Sequence, residues 1–207
     1  MAVISDAQHI LIDTGTGTGK LFEGLDALGL KPEDFTIVLL THSHYDHIGG
    51  CLDESGVPRF PNAKYYLSGA EWDHVFHNDD RGRRVLDALG QQFETIDGNT
   101  EFSPGIRMIP APGHSPGHMI VAVQSGNQEM YYTSDLFVHP LHIEFPEWNM
   151  FHETDFKQAA KTRRMILEKA FEDEILIHAF HLSFPGLGNI NKGERGWMWL
   201  EKKYAGK

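Results

Sequence analysis

Four potential metal ligands fall within six residues in His42-Ser43-His44-Tyr45-Asp46-His47, directly after the apolar run Phe35-Thr36-Ile37-Val38-Leu39-Leu40. Imidazole nitrogens and a carboxylate converging from one loop have the chemistry of a divalent-cation site. Six residues cannot hold two ions alone, so further His and Asp ligands are expected downstream, each at a strand end. The sequence offers His114 within Pro112-Gly-His-Ser-Pro-Gly-His118, Asp135 within Ser134-Asp-Leu-Phe137, and His181 within Ile177-His-Ala-Phe-His-Leu-Ser-Phe-Pro-Gly186. Two ions about 3.5 to 4 Å apart need a shared ligand, a role that suits Asp135. In the simplest assignment His42, His44 and His114 hold one ion while Asp46, His47 and His181 hold the other. Asp135 and a hydroxide bridge both, and neither ion needs a thiolate.

This ligand set points to hydrolysis. A positioned side-chain base gives roughly 10² to 10⁴-fold, whereas a metal lowers the pKa of bound water from about 15.7 toward about 7. Asp46 then need only orient the nucleophile or shuttle its proton. His9, His74, His77, His152 and His178 read as surface or packed residues. His178 and His181 compete for one role, and His181 is preferred because His178 falls inside an apolar strand. His118, Ser115 and Pro116 are read as shaping the loop that presents His114, with His118 either simply packed there or a hydrogen-bond partner of a ligand. Asp13 either hydrogen-bonds a ligand histidine or caps the glycine-rich turn Thr14 to Gly19. That turn lacks both the Gly-Lys-Ser/Thr ending of a P-loop and the spacing of a dinucleotide fingerprint. Cys51 has no evident thiolate-stabilising surroundings and reads as a packing residue.

The elements that must position these groups alternate. Gln8–Asp13 reads as a strand, followed by the turn and a short helix with Leu21, Leu25 and Leu28 on one face, ended by Gly29. Phe35–Leu40 reads as a strand buried on both faces, with a helix starting near Asp46. Lys64–Leu67 is a strand. Ser68-Gly69-Ala70-Glu71 forms a capping box for a helix burying Trp72, Val75 and Phe76, and another helix includes Val85–Leu89. Gly105–Ile109, Met119–Gln124 and Glu129–Thr133 are strands, the last two joined by Ser125-Gly126-Asn127. The clearest helix runs from about Phe156 to Phe171, with Asp155 and Gln158 at its start and Phe156, Ala159, Ala160, Ile166, Leu167, Ala170 and Phe171 as its stripe. Ile175–Ala179 is expected as the final strand. The pattern is that of an α/β protein with every candidate ligand in a strand-terminal loop.

The 207 residues carry no obvious linker and are read as one domain, 1–207. Hydrophobic content of 41% excludes disorder and collagen-like repeats. Eighteen Lys and Arg against 29 Asp and Glu, net −11, disfavour nucleic acid as a partner. No stretch predicts a membrane span or signal peptide, and the lone cysteine permits no internal disulfide, so a cytoplasmic location is the expectation.

Ile12-Asp13-Thr14-Gly15, His42-Ser-His44-Tyr-Asp46-His47, Gly113-His114-Ser-Pro-Gly-His118, Ser134-Asp135-Leu136 and His181 resemble, in order, the motifs of the metallo-β-lactamase-fold hydrolases. The segment from His181 to Gly188 resembles in particular the branch containing methyl parathion hydrolase and related lactonases and arylesterases. The resemblance implies a four-layer αβ/βα sandwich with two divalent ions, zinc foremost and Mn²⁺, Fe²⁺ or Co²⁺ as alternatives, at one edge between two sheets. It implies a small-molecule ester, lactone or phosphotriester as substrate. A shared Asp135 without a ligand cysteine looks unlike true β-lactamases, and His44 in place of Glu looks unlike flavodiiron proteins. The alternatives are a mononuclear iron enzyme resembling persulfide dioxygenases, or a noncatalytic metal-binding protein. Family members carry additional N-terminal strands before the segment resembling Ile10 to Gly15. Their apparent lack here leaves two expectations: a partner chain, as in a homodimer, over the exposed sheet, or a truncated form with an altered pocket rim. Phe137, Phe145, Trp148, Met150 and Phe184 are candidate pocket residues for an apolar leaving group, with core packing an equal alternative for them.

Overall fold

The computed structural model describes residues 1–5, 8–194 and 196–203. They group into two compact units, Met1–Asp97 and Gly98–Lys207, each built on its own sheet.

The first unit carries a five-stranded sheet of β1 (Ala2–Ile4), β2 (His9–Ile12), β3 (Ile37–Leu39), β4 (Lys64–Ser68) and β5 (Phe93–Ile96), in that spatial order. β1 pairs antiparallel with β2, while β2 through β5 run parallel. Parallel neighbours need crossovers. These are α1 (Leu21–Ala27), the segment containing the single turn α2 (Tyr45–Ile48), and the pair α3 (Gly69–Asn78) and α4 (Asp80–Leu89). Leu11, Val38, Tyr65 and Leu67 form a core with Leu25, Ile48, Val75, Leu86 and Leu89 from the helices. Each such large side chain removed from water contributes roughly 1.5 to 3 kcal/mol. Ile37, Val38 and Leu39 are all buried, as expected for a strand covered on both faces. Gly29 closes α1 with positive φ as predicted, but Leu28 lies beyond the helix and is exposed. Phe76 is likewise exposed, its ring 5.9 Å from that of Trp72 one turn earlier.

The second unit has a seven-stranded sheet in the order β12-β11-β10-β9-β8-β7-β6. Its strands are β6 (Thr100–Ser103), β7 (Ile106–Pro110), β8 (Met119–Ser125), β9 (Gln128–Ser134), β10 (Leu176–Ala179), β11 (Leu187–Gly193) and β12 (Gly196–Glu201). All pairs are antiparallel except β9 with β10, whose crossover contains α5 (Leu141–Glu144) and α6 (Phe156–Glu172). Asp155 caps α6 by accepting from Gln158 N at 2.9 Å, and Ala159, Ala160, Ile166, Leu167 and Ala170 are buried. Phe156 is exposed, so it does not belong to the stripe. The strand at 176–179 is not the last: β11 and β12 follow, hidden in the sequence by the Gly and Asn content of β11. Each unit thus supplies one sheet with its own helices. Among the described residues no helix is long and apolar enough to cross a membrane.

Candidate metal centre

In the first unit the ligand segment leaves β3 extended at His44 and then turns into α2. His42 and His47 are buried with ring centroids 4.1 Å apart, and His42 lies 4.6 Å from His44. Asp13, in the left-handed region at φ 55, organises them. Its carboxylate accepts from Thr41 N at 2.8 Å, from the Thr41 hydroxyl at 2.9 Å, and from His47 Nδ1 at 2.8 Å. The single Thr41 hydroxyl proton goes to Asp13, so the 3.2 Å contact between Thr41 Oγ1 and His42 Nδ1 is a donation from the ring. Both imidazoles therefore carry their proton on Nδ1, which places the lone pair on Nε2, the state a metal requires. His47 Nε2 lies 3.5 Å from Asp46 Oδ2. Of the two readings of Asp13, the histidine-orienting one is the structure's.

The glycine-rich segment is a turn, and its glycines serve close approach. Thr14 N and Oγ1 both donate to His47 O, at 2.7 and 2.9 Å, and Gly50 N donates to Gly15 O at 2.9 Å. A Cβ on Gly50 would stand 2.3 Å from Thr14 O, and one on Gly17, whose φ is +81, would stand 2.6 Å from Gly49 O. Gly50→Ala is expected to destabilise by about 2 kcal/mol or more through backbone displacement, read as a lowered midpoint in chemical denaturation. Cys51 beside this turn is fully buried, 3.5 Å from Thr14 Oγ1, and burial pushes its thiol up to about 12. It should stay unmodified by thiol reagents at pH 8 in the folded chain and react only on unfolding. A folded chain labelled within minutes would contradict that placement.

In the second unit, His114 and His181 arrive from different loops at one atom. His114 Nε2 lies 3.4 Å and His181 Nε2 3.2 Å from Asp135 Oδ2. His114 and Asp135 are buried, whereas the His181 side chain is 35% exposed. Asp135 follows Ser134 at φ 47 in a tight turn where Leu136 N donates to Thr133 O. His118 Nδ1 donates to Ala111 O at 3.1 Å and its Nε2 accepts from Asp135 N at 3.3 Å. With both nitrogens so engaged His118 ties the His114 loop to Asp135, so it is a hydrogen-bonding partner and not merely packed. The residues leading into α6 and its second turn hold the neighbouring loop: Thr154 N and Oγ1 donate to His114 O, Asp155 N to Gly113 O, and Thr162 Oγ1 to Pro112 O.

Two supports escaped the sequence. Glu71 is fully buried, and its carboxylate accepts from Ser43 N at 3.0 Å and Ser43 Oγ at 2.6 Å. The expected cap is present in Ser68 Oγ, which accepts from Glu71 N, but the glutamate's carboxylate serves the ligand loop. Arg163, fully buried on α6, donates to Leu136 O at 2.8 Å and Trp148 O at 2.7 Å and pairs with buried Glu153. Its signal was an arginine four residues from both Ala159 and Leu167, on the stripe itself. Among the candidate pocket aromatics, Phe137 takes the core-packing alternative, fully buried in the cluster with Leu136, Ile143 and Leu167. Trp148, Met150 and Phe184 are exposed, and Phe145 stacks on Trp148.

With this geometry in place the class is defined. A model of the metallo-beta-lactamase superfamily matches residues 1–177, and the chain belongs to that superfamily. It is 30% identical over 119 residues to an N-acyl homoserine lactonase of Bacillus cereus, covering 58% of this chain and 45% of that protein. A probable metallo-hydrolase of Mycobacterium tuberculosis is 27% identical over 133 residues, covering 56% of this chain and 41% of that protein. The chain thus spans less than half the length of these curated relatives in the matched region. Among solved structures, AidC, a dizinc quorum-quenching lactonase in complex with an acyl-homoserine product, superposes with a TM-score of 0.91 at 27% identity, over 99% of this chain and 79% of that one. The hydrolase AbOPH superposes with a TM-score of 0.88 at 25% identity, with the same coverage. The mixed α/β fold with two sheets is the fold of that superfamily.

Proposed function

We propose that the chain is a dinuclear metal-dependent hydrolase acting on a lactone, ester or phosphotriester, with a lactone as the favoured class. One observation carries the reading: imidazoles from two separate loops, His114 and His181, approach the same oxygen of Asp135. A single carboxylate oxygen flanked in this way suits a ligand shared between two ions. The donor chemistry fits, since hydrogen bonding fixes the Nε2 lone pairs of His42 and His47 as ligand atoms. In this assignment His42, His44 and His114 hold one ion, Asp46, His47 and His181 hold the other, and Asp135 serves both. Nitrogen and carboxylate donors without thiolate suit Zn²⁺, the metal of the dizinc relative, and also accept Mn²⁺, Fe²⁺ or Co²⁺.

When bound, such ions lower the pKa of water toward neutrality and polarise the carbonyl or phosphoryl oxygen under attack. The chain's own residues do the rest. Asp13 and His118 keep His47 and Asp135 in fixed orientation, so little reorganisation is needed on reaction. Asp46, half-buried beside His47, is placed to hold the nucleophile's proton and pass it to the leaving alkoxide. The family match runs across both compact units, which supports reading 1–207 as one domain.

A panel of acyl-homoserine lactones, simple lactones, aryl esters and phosphotriesters, assayed with zinc-loaded protein, tests the reading. Turnover of at least one class that is lost on chelation and regained on adding Zn²⁺ is expected. Oxygen consumption with persulfide by a protein holding one iron would replace the reading with a dioxygenase, and saturated metal without turnover would leave a binding protein.

A further inference from the structure

In the ligand segment the metal-binding candidates occupy positions 42, 44, 46 and 47, and the residues between the first three, Ser43 and Tyr45, are gripped by side chains from a different part of the first unit. Glu71, in the first turn of α3, accepts from both the backbone N–H and the hydroxyl of Ser43, at 3.0 and 2.6 Å. Arg81, in the first turn of α4, lays its guanidinium over the Tyr45 ring with its central carbon 3.5 Å from the centroid. The same ring packs against Gly49 so closely that a Cβ there would stand 2.8 Å from Tyr45 Cε2. Tyr45 is thus held between a cation and a bare backbone. Both gripping residues are fixed in their own helices: Ser68 Oγ caps Glu71 N at 3.1 Å, and Asp79 Oδ1 accepts from Arg81 N at 2.9 Å.

A fully buried carboxylate is costly unless its hydrogen bonds offset desolvation, and Ser43 of the ligand loop donates two of them to Glu71. Arg81, by contrast, is solvent-exposed and contributes through its stacking on Tyr45. Successive residues of extended chain point to opposite sides, so a grip on Ser43 fixes the direction of His42 and His44 without occupying their side.

We infer that Glu71 and Arg81 are positioning residues for the metal-ligand segment, holding Ser43 and Tyr45 so that His42, His44 and Asp46 are presented at fixed spacing before any ion arrives. The inference rests on the reading that this segment binds metal. Its test measures Co²⁺ and Zn²⁺ dissociation constants by chelator competition, together with the melting temperature of the metal-free chain.

Glu71→Ala is expected to weaken ion binding about 10- to 100-fold, as loss of an outer-shell partner does. Glu71→Gln, which keeps an acceptor for Ser43, should recover most of that loss. Arg81→Ala is expected to weaken binding about two- to fivefold, with little change in the metal-free melting temperature. Should Glu71→Ala fail to fold, Glu71→Gln and Arg81→Ala give the same comparison against the parent chain. Dissociation constants equal to the parent's in the folded variants would overturn the positioning role and leave the metal-centre reading intact. A parent chain that binds neither ion would overturn both.

Discussion

Replacing Asp135 with alanine is expected to abolish hydrolysis, lowering the rate by at least about 10³-fold, or ~4 kcal/mol of transition-state stabilisation. The expectation follows from the position of one oxygen. Asp135 Oδ2 is the atom that His114 and His181 both approach, and its backbone is aimed by the His118 contact to its N–H. Without it the imidazoles lose the negative charge they share, and two cations lose the group that screens their repulsion. Metal content measured by elemental analysis should fall with activity. Asp135→Asn keeps the shape without the charge and should retain at most one ion. His114→Ala should behave like Asp135→Ala, whereas His152→Ala, at an exposed ring tilted against that of Phe151, should match the parent chain. Parent-like rates in the first two variants would defeat the ligand assignment.

Arg163→Ala is expected to produce the largest loss of stability, about 3 to 5 kcal/mol. The guanidinium is buried, which lowers its pKa to about 10 and leaves it charged at neutral pH. It donates to the carbonyls of Leu136, Pro146 and Trp148 and pairs with the buried carboxylate of Glu153. Removing it strands a buried negative charge, a cost far larger than the net worth of the pair. For a chain of this size the loss corresponds to a fall in melting temperature of roughly 10 °C. Removing both charges with Arg163→Met and Glu153→Leu should restore only the part due to the stranded carboxylate, because the carbonyls of Leu136, Pro146 and Trp148 still lose their donor. Leu136 adjoins Asp135, so the single variant should also bind metal more weakly. A melting temperature within a degree of the parent would contradict the structural role.

The ligand candidates were legible because metal chemistry restricts donors to few residue types, and His42-Ser-His-Tyr-Asp-His47 follows an apolar strand that is visible in sequence. The long amphipathic α6 and the central strands were legible for the same reason: their periodicity is set by what they bury. Glu71 and Arg163 were not. Each breaks the local rule for its position, a capping glutamate whose carboxylate leaves its helix and an arginine inside an apolar stripe, and each is satisfied only by residues distant in the chain. The β11–β12 hairpin was missed because Leu187–Gly193 is rich in Gly and Asn, and its strand character comes from pairing with β10 and β12 rather than from propensity. Asp13 could be placed near the turn from sequence, but choosing between capping and orienting His47 required the 2.8 Å contact.

The dinuclear centre is tested most directly by titrating metal-free protein with Zn²⁺ while following bound metal and lactone or ester hydrolysis together. Two equivalents bound per chain, with activity appearing as the second is taken up, is the expected result. Saturation at a single equivalent, or two bound equivalents in an Asp135→Ala chain, would contradict a pair of ions sharing that carboxylate.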